Sequence, residues 1–419
     1  MFKQYVKQAL HTLGENRLTS AVSILGTMLS VAMILVVVLQ FQINLVGYSP
    51  VSRRDRMLYL YSVHTRSKDG GEDNNTGLSA EAVRACLYSL KTPEAVTATA
   101  WNSHVISIPG RRLFEEYTVC YTDPAFWEVF DFRFLSGRPF TEADLNSGLP
   151  RAVISDQLAG ILFGSREVVG RDILVNNVMP CTIAGVVERP SRAAGEAFAD
   201  VWMPYTANAL YTRWGGCDGI CGPFGATILA RERSDVDALY AEIRQAVARY
   251  NAGKADYRLT PPRPFTHLER ALGSGSHRVG WGEYLRTTGW VLLFLLLLPT
   301  LNLTGIVQSA VQKRRAEMGL RKAFGATGGR LFAQVVCENL IITWIGGLLG
   351  IGLSVVLLYA GRSFLLTSDT VITPGMLFRP LLFAAALFFT LVLNLLSAGL
   401  PALRIARERI VESLRDADE

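Results

Sequence analysis

The sequence predicts an α-helical membrane protein with four transmembrane helices and a large α+β extracytoplasmic domain. Three observations carry this: four long apolar stretches, an uneven distribution of Lys and Arg around them, and a central region patterned like an ordinary soluble domain. Half of the 419 residues are hydrophobic and only 19% are charged, a balance unusual for a wholly water-soluble chain.

A helix needs about 20 apolar residues to cross roughly 30 Å of hydrocarbon. Residues 18–46 qualify and hold no charge. So do 287–312, which contain the run Val291 to Leu298, and 331–361, with a single acid, Glu338, near the start. The fourth stretch, 380–403, is again uncharged. The first reads as an uncleaved signal anchor: its apolar core is too long for a signal peptide, and Tyr48-Ser49-Pro50-Val51 offers no small-residue cleavage site.

Orientation follows from the basic residues in short flanks. Lys3, Lys7 and Arg17 precede the first span; Lys313, Arg314, Arg315, Arg321, Lys322 and Arg330 lie between the second and third; Arg404, Arg407, Arg409 and Arg415 follow the fourth. The loop 362–379 has only Arg362 and Arg379 against Asp369. Both termini (1–17 and 404–419) and the segment 313–330 are therefore expected in the cytoplasm, with 47–286 outside. The net charge of +6 then reflects orientation in a lipid bilayer, and no nucleic-acid partner is called for.

The outer region 47–286 carries its own periodicity. Met57–Val63, Val96–Ile108, Tyr117–Tyr121 and Ala226–Ala230 read as strands. Leu78–Leu90 reads as a helix capped by Ser79, and 235–250 as a helix with Val236, Leu239, Ile243 and Val247 on one face. Strand-helix-strand at both ends implies one βαβ-type lobe built from the two ends of the region. Between them, about 119–222, short strands such as Ala152–Ile154, Asp172–Val175 and Thr182–Val187 imply an inserted, mostly-β lobe. From about Ser274, Trp281, Tyr284 and Trp290 suggest an amphipathic stalk into the membrane.

An extracytoplasmic compartment permits disulfides. Cys217 and Cys221, in Cys-Asp-Gly-Ile-Cys, are the best pair because the Gly-containing spacer can turn back on itself; two free thiols are the alternative. No histidine lies near them to complete a metal site. Within the spans, Gly346 and Gly350 form a G-x-x-x-G step, and Gly26 and Ser30 a small-x-x-x-small step, both suited to close helix packing. Asn302 and Asn394 should face other helices.

The stretch Glu317-Met318-Gly319-Leu320-Arg321-Lys322-Ala323-Phe324-Gly325-Ala326-Thr327 closely resembles the E-I-G-L-R-K-A-L-G-A motif of MacB/FtsX-like permeases. Glu338, Gly346, Gly347 and Gly350 follow as in that family. In the outer region, Phe126, Phe130, the run Leu135 to Asp144, Leu162-Phe163-Gly164, Gly170 and Ile183 to Val187 resemble the MacB periplasmic core. The tail from Pro401 through Arg407 to Arg415 resembles the family's ending, with Ile410 where a proline is usual. Met318 and Phe324 are mild departures. The large departure is the nucleotide-binding domain that MacB carries ahead of its first span: no G-x-x-x-x-G-K-[ST] phosphate loop occurs, and Gly325-Ala326-Thr327-Gly328-Gly329 lacks the following Lys-Ser/Thr.

The resemblance implies a permease subunit of an ABC transporter, working by mechanotransmission in the inner membrane. Glu317, Gly319, Leu320, Arg321, Lys322, Gly325 and Ala326 would form the coupling segment that docks on a separate ABC-type ATPase. ATP would be used by that partner, and no cofactor would be bound directly. A homodimer, or a heterodimer with a paralogous permease, is implied, and a periplasmic adaptor with an outer-membrane duct belongs to the efflux branch of the family. Lipoprotein release belongs to another branch. The alternative is an FtsX-like regulator that activates an outer-face partner such as a cell-wall hydrolase. Catalytic signatures such as H-E-x-x-H and G-x-S-x-G are missing, and His11, His64, His104, His267 and His277 are scattered, so the chain is not expected to be an enzyme.

Overall fold

The computed structural model describes residues 17–45, 47–71, 73–111, 114–213, 215–273 and 327–361, with isolated positions at 282–283, 286, 289–290, 383–384, 387–388 and 391–392. The N-terminal segment up to residue 16, residues 313–326 of the expected coupling segment, the expected loop 362–379 and the cytoplasmic tail, with nearly all of the stalk and of the expected second and fourth spans, lie outside the described residues. The chain divides into two compact units. One contains residues 1–43 with most of the chain after 285, and the other contains residues 44–284 with 369–371.

In the first unit, helix α1 spans Arg17–Leu45. Its 29 residues correspond to about 44 Å at 1.5 Å per residue. A second long helix in this unit, Gly328–Ala360, is α9 in chain order. Windows of 20 residues in α1 (Ser20–Leu39) and 21 in α9 (Leu340–Ala360) are long and apolar enough to cross a membrane. Together they cover the first and third expected spans.

The second unit is built around a ten-stranded sheet. Its first part uses β1 (Met57–Leu60), β4 (Ala95–Ser107), β12 (Gly225–Leu229) and β14 (Phe265–Thr266). The spatial order is β14-β1-β12-β4, and each neighbouring pair is antiparallel. Helix α2 (Ala80–Cys86) precedes β4 and helix α7 (Val236–Ala252) follows β12. This is the split-βαβ arrangement, in which the strands from the two far ends of the domain, β1 and β14, lie side by side. Helix α2 starts where Ser79 accepts a hydrogen bond from the Ala82 amide at 3.0 Å. It stops at Cys86, short of the expected Leu90. On α7, Leu239, Ile243, Ala246 and Val247 recur on one face and are buried. A second sheet in the order β11-β3-β2-β13 joins β2 (Val63–Ser67), β3 (Asp73–Leu78), β11 (Cys221–Gly222) and β13 (Tyr257–Leu259). The expected strand Met57–Val63 is thus two strands, β1 and β2, which enter different sheets.

The inserted lobe closes on itself. Strands β5 (Glu116–Thr122), β7 (Arg151–Ser155), β8 (Asp172–Val175), β9 (Met179–Val187) and β10 (Val201–Pro204) continue from β4 in the ring β4-β5-β10-β7-β9-β8. Strand β8 pairs with both β9 and β4, which completes a six-stranded barrel. The long β4 belongs to both lobes. Its residues 95–99 pair with β12, 99–105 with β5, and 106–107 with β8. The lobe boundary therefore falls inside β4, upstream of the expected residue 119. The reason is that a single extended 13-residue strand can serve two sheets in succession.

Several resembling residues have structural explanations. Strand β6 (Phe134–Gly137) adds to β9, and Gly137 (φ +70) and Gly185 lie in close approach across that pair. A Cβ on Gly137 would sit 2.8 Å from the Cα of Gly185. Helix α3 is Phe126–Val129 and α4 is Glu142–Ser147. Thr141 and Asp144 form a reciprocal capping box at the start of α4. Phe126, Phe130 and Phe140 pack in an aromatic core around Trp127 and the fully buried Trp202.

Candidate functional site

The coupling residues Glu317, Gly319, Leu320, Arg321, Lys322, Gly325 and Ala326 lie outside the described residues. The helix next in the chain is described: α9 begins at Gly328, immediately after Thr327. Its glycines form the packing seam of the first unit. A Cβ on Gly346 would stand 2.8 Å from the Cβ of Thr27, and one on Gly350 would stand 2.7 Å from the Cβ of Val31. Gly347 opposes Leu387, in the fourth apolar stretch. Val31 and Leu35 of α1 pack with Ile351 and Phe383.

The complementary face of α1 holds Ser23, Gly26, Thr27 and Ser30, all buried. The Thr27 hydroxyl donates to the Ser23 carbonyl at 2.9 Å and the Ser30 hydroxyl to the Gly26 carbonyl at 2.7 Å. These two hydroxyls are satisfied within their own helix, so neither needs a partner across the seam. The structure thus brings Gly346 and Gly350 against α1 on the same side as Gly26 and Ser30, with Thr27 and Val31 as the direct neighbours.

In the second unit, Cys217 and Cys221 are joined in a disulfide, with Cα atoms 5.4 Å apart. Cys217, Asp218 and Gly219 all take positive φ, which makes the tight return between the two sulfurs. The loop is a hub. The Asp218 carboxylate accepts from the Ala255 amide at 2.6 Å, and Lys254 donates to the Asp218 carbonyl at 2.8 Å. Ser79 and Tyr250 both donate to the Gly219 carbonyl, and Lys254 pairs with Glu81 at 2.9 Å. The start of α2 and the end of α7 are tied to one short loop. Among the described residues, no group of three or more His, Cys, Asp or Glu side chains could hold a metal ion.

A cavity of about 470 Å³ lies where the split-βαβ lobe meets the barrel, lined by Arg84, Tyr88, Glu94, Asp123, Glu142 and Tyr205 among others. Asp123, at the end of β5, is buried. Its carboxylate accepts from the Ala98 amide at 2.8 Å and from the Tyr88 hydroxyl. Burial pushes its pKa up from 3.8 to about 6, against the opposing pull of those hydrogen bonds. The same burial, with Asp123 next to it, raises Tyr88 well above 10. The carboxylate ties the end of β5 to β4 and to Tyr88, two residues past the end of α2. Sequence reasoning missed it. Asp123 lies three residues before the resembling Phe126, but nothing local shows that Tyr88 and Ala98 converge on it.

This geometry has two measurable consequences. Gly350→Val should destabilise the membrane unit by about 1–3 kcal/mol through overpacking, measured by unfolding in detergent micelles. Gly352→Val, at a position with open space around it, should be neutral. Asp123 contributes to stability fully below pH 3.8 and loses that contribution as pH rises to about 6, because the folded form holds the proton more tightly. Asp123→Asn should remove this loss. The variant should gain stability relative to the natural chain from pH 4 to pH 7 in urea unfolding, and a pH-independent difference would contradict the assignment.

The same chain matches known proteins along most of its length. A family model described as the MacB-like periplasmic core domain matches residues 20–246, and one described as the FtsX-like permease C-terminal domain matches residues 289–410. The pyoverdine export ATP-binding/permease protein PvdT of Pseudomonas savastanoi pv. phaseolicola is 27% identical over 288 residues, covering 68% of this chain and 40% of its own length. The macrolide export ATP-binding/permease protein MacB of Escherichia coli K12 is 24% identical over 434 residues, covering 99% of this chain and 60% of its own length. The chain therefore spans 40% and 60% of these two export proteins. The ABC transporter permease YknZ of Bacillus subtilis is 25% identical over 300 residues, 71% of this chain and 70% of that one. Among solved structures, the periplasmic region of MacB from Actinobacillus actinomycetemcomitans aligns at 16% identity with a TM-score of 0.35, over 49% of this chain and 88% of that one. The chain belongs to the family of ABC transporter permeases that joins a MacB-like periplasmic core domain to an FtsX-like permease domain.

Proposed function

We propose that this chain is a permease subunit that works by mechanotransmission. It would couple ATP hydrolysis in a separate ATPase subunit to a rearrangement of the extracytoplasmic domain, for export or release of a substrate. The observation that carries this is the placement of the family's coupling sequence, Glu317–Thr327, directly ahead of α9, which packs on α1 through Gly346 and Gly350. A push delivered at the start of α9 would be passed to α1 through contacts too close to slip. Helix α1 continues to Leu45, and the outer domain comes after it in the chain.

In this reading both termini face the cytoplasm, ATP is consumed by the partner, and the chain itself binds no cofactor and performs no catalysis. The working unit is a dimer, of two copies or of this chain with a paralogous permease, in the inner membrane. An adaptor and an outer-membrane duct would complete an efflux assembly. The names printed for PvdT and MacB support export as the class of activity. The second reading, a regulator of an outer-face hydrolase, would use the same seam and coupling segment, and a bound hydrolase would decide for it. The closed barrel inserted in the outer domain supports the MacB-like reading.

Arg321→Ala removes a cation whose charged hydrogen bond would contribute about 1.5–3 kcal/mol to docking. Affinity for the partner ATPase should fall about ten- to a hundredfold, read by titration of the two purified subunits. Gly325→Val should likewise uncouple hydrolysis while the unfolding temperature stays the same. Unchanged affinity and coupling in both variants would overturn the assignment.

A further inference from the structure

The two stretches of chain that connect the outer domain to its flanking apolar segments end on one buried cluster. Tyr48 lies three residues after the end of α1, and Arg54 comes after it at 2% exposure. The Arg54 guanidinium stacks 4.5 Å over the Tyr48 ring and donates to the Tyr48 hydroxyl at 3.2 Å and to the Ala193 carbonyl. At the other end of the domain, helix α8 (His267–Leu272) is the last described element before the second apolar stretch. Its Arg270 pairs with Glu196 at 2.7 Å and stacks 4.7 Å over Tyr59. His267, buried on the same helix, meets the Tyr59 hydroxyl at 3.5 Å.

Ala193 and Glu196 belong to one segment, the 3₁₀ turn Arg192–Ala197 that connects β9 to β10 of the barrel. Gly195 in that turn has φ +63, and a Cβ there would strike the Arg270 guanidinium, 3.0 Å from Nη1. The turn is therefore shaped to seat Arg270. Glu196 is 8% exposed, and an ion pair so buried is costly to break by removing one partner. The neighbouring charges act on the same rings: burial, with Glu196 adding to it, pushes Tyr59 up to about 12, while Arg270 and Arg54 pull the other way.

We propose that Arg54, Glu196 and Arg270 are positioning residues that clasp both membrane-linked ends of the outer domain to the β9–β10 turn, so that a displacement of either end is delivered to the barrel. Pairing of β1 with β14 already holds the two ends to each other within the split-βαβ sheet. The clasp adds the connection from those ends to the inserted lobe. The transmission role rests on the function proposed above; the clasp as a cooperative unit does not.

Hydrogen exchange on the full chain in detergent tests the unit. Glu196→Gln and Arg270→Met should each speed exchange at least about tenfold in 48–56, 191–198 and 265–272 together, with β5 and α7 unchanged. The swap Glu196→Arg with Arg270→Glu should restore protection relative to either charge reversal alone. Loosening confined to 191–198 would overturn the clasp, whatever the ATPase does. Global loss of protection in the single variants, with no recovery in the swap, would also overturn it. A second arm tests transmission, by measuring ATP-driven turnover with the partner ATPase. Clasp variants should lower it at least about tenfold while ATPase binding persists. If Arg321→Ala uncouples the complex and the clasp variants do not, the clasp is not the route. If none of these variants changes turnover, the permease function itself fails, and the clasp stands or falls on its exchange data alone.

Discussion

The approach of α9 to α1 at Gly346 and Gly350 is the contact on which the mechanical account depends. Lipid tails are as apolar as leucine, so two spans gain little from simple hydrophobicity when they meet. They gain from close packing, which requires small residues at the contact. A Cβ at either glycine would fall within 3 Å of α1, so the helices are already at the limit of approach. A seam of this kind transmits displacement because neither surface has room to yield. The hydroxyls of Thr27 and Ser30 turn back to the carbonyls of Ser23 and Gly26, one turn earlier in their own helix.

In the outer domain, the two lobes are tied together at several points. Strand β4 runs from the split-βαβ sheet into the barrel without interruption. The Asp123 carboxylate ties Tyr88, just past α2, and β4 to the end of β5 at the same junction. The Cys217–Cys221 loop fixes the start of α2 to the end of α7. The polar contacts of these groups hold elements in register.

What could be seen in the sequence, and what could not, depends on the range of the interactions. The start of α2 was legible because Ser79 caps a helix within three residues, and the buried face of α7 because its apolar spacing is local. The Cys-Asp-Gly-Ile-Cys spacing was legible for the same reason. Closure of the barrel was not, since β8 must find β4 across more than sixty positions and no local pattern encodes that pairing. The double membership of β4 was hidden because both halves share one extended pattern. Arg54 and Arg270 stand near apolar stretches, where basic residues are routine flanks, and only the fold reveals that each is seated against the 191–198 turn. The runs around Gly137 and Asp144 were legible as family resemblance. Their physical content, a close strand crossing and a capping box, needed coordinates.

The central claim is that force enters on the cytoplasmic side and is used outside. Cysteine labelling with a membrane-impermeant maleimide in intact cells tests this most directly, using single cysteine probes in place of Phe114, exposed in the outer domain, and of Gly319 in the coupling sequence. The account predicts rapid labelling at 114, and labelling at 319 only after the cells are opened. Labelling of 319 in intact cells, or protection of 114, would contradict it.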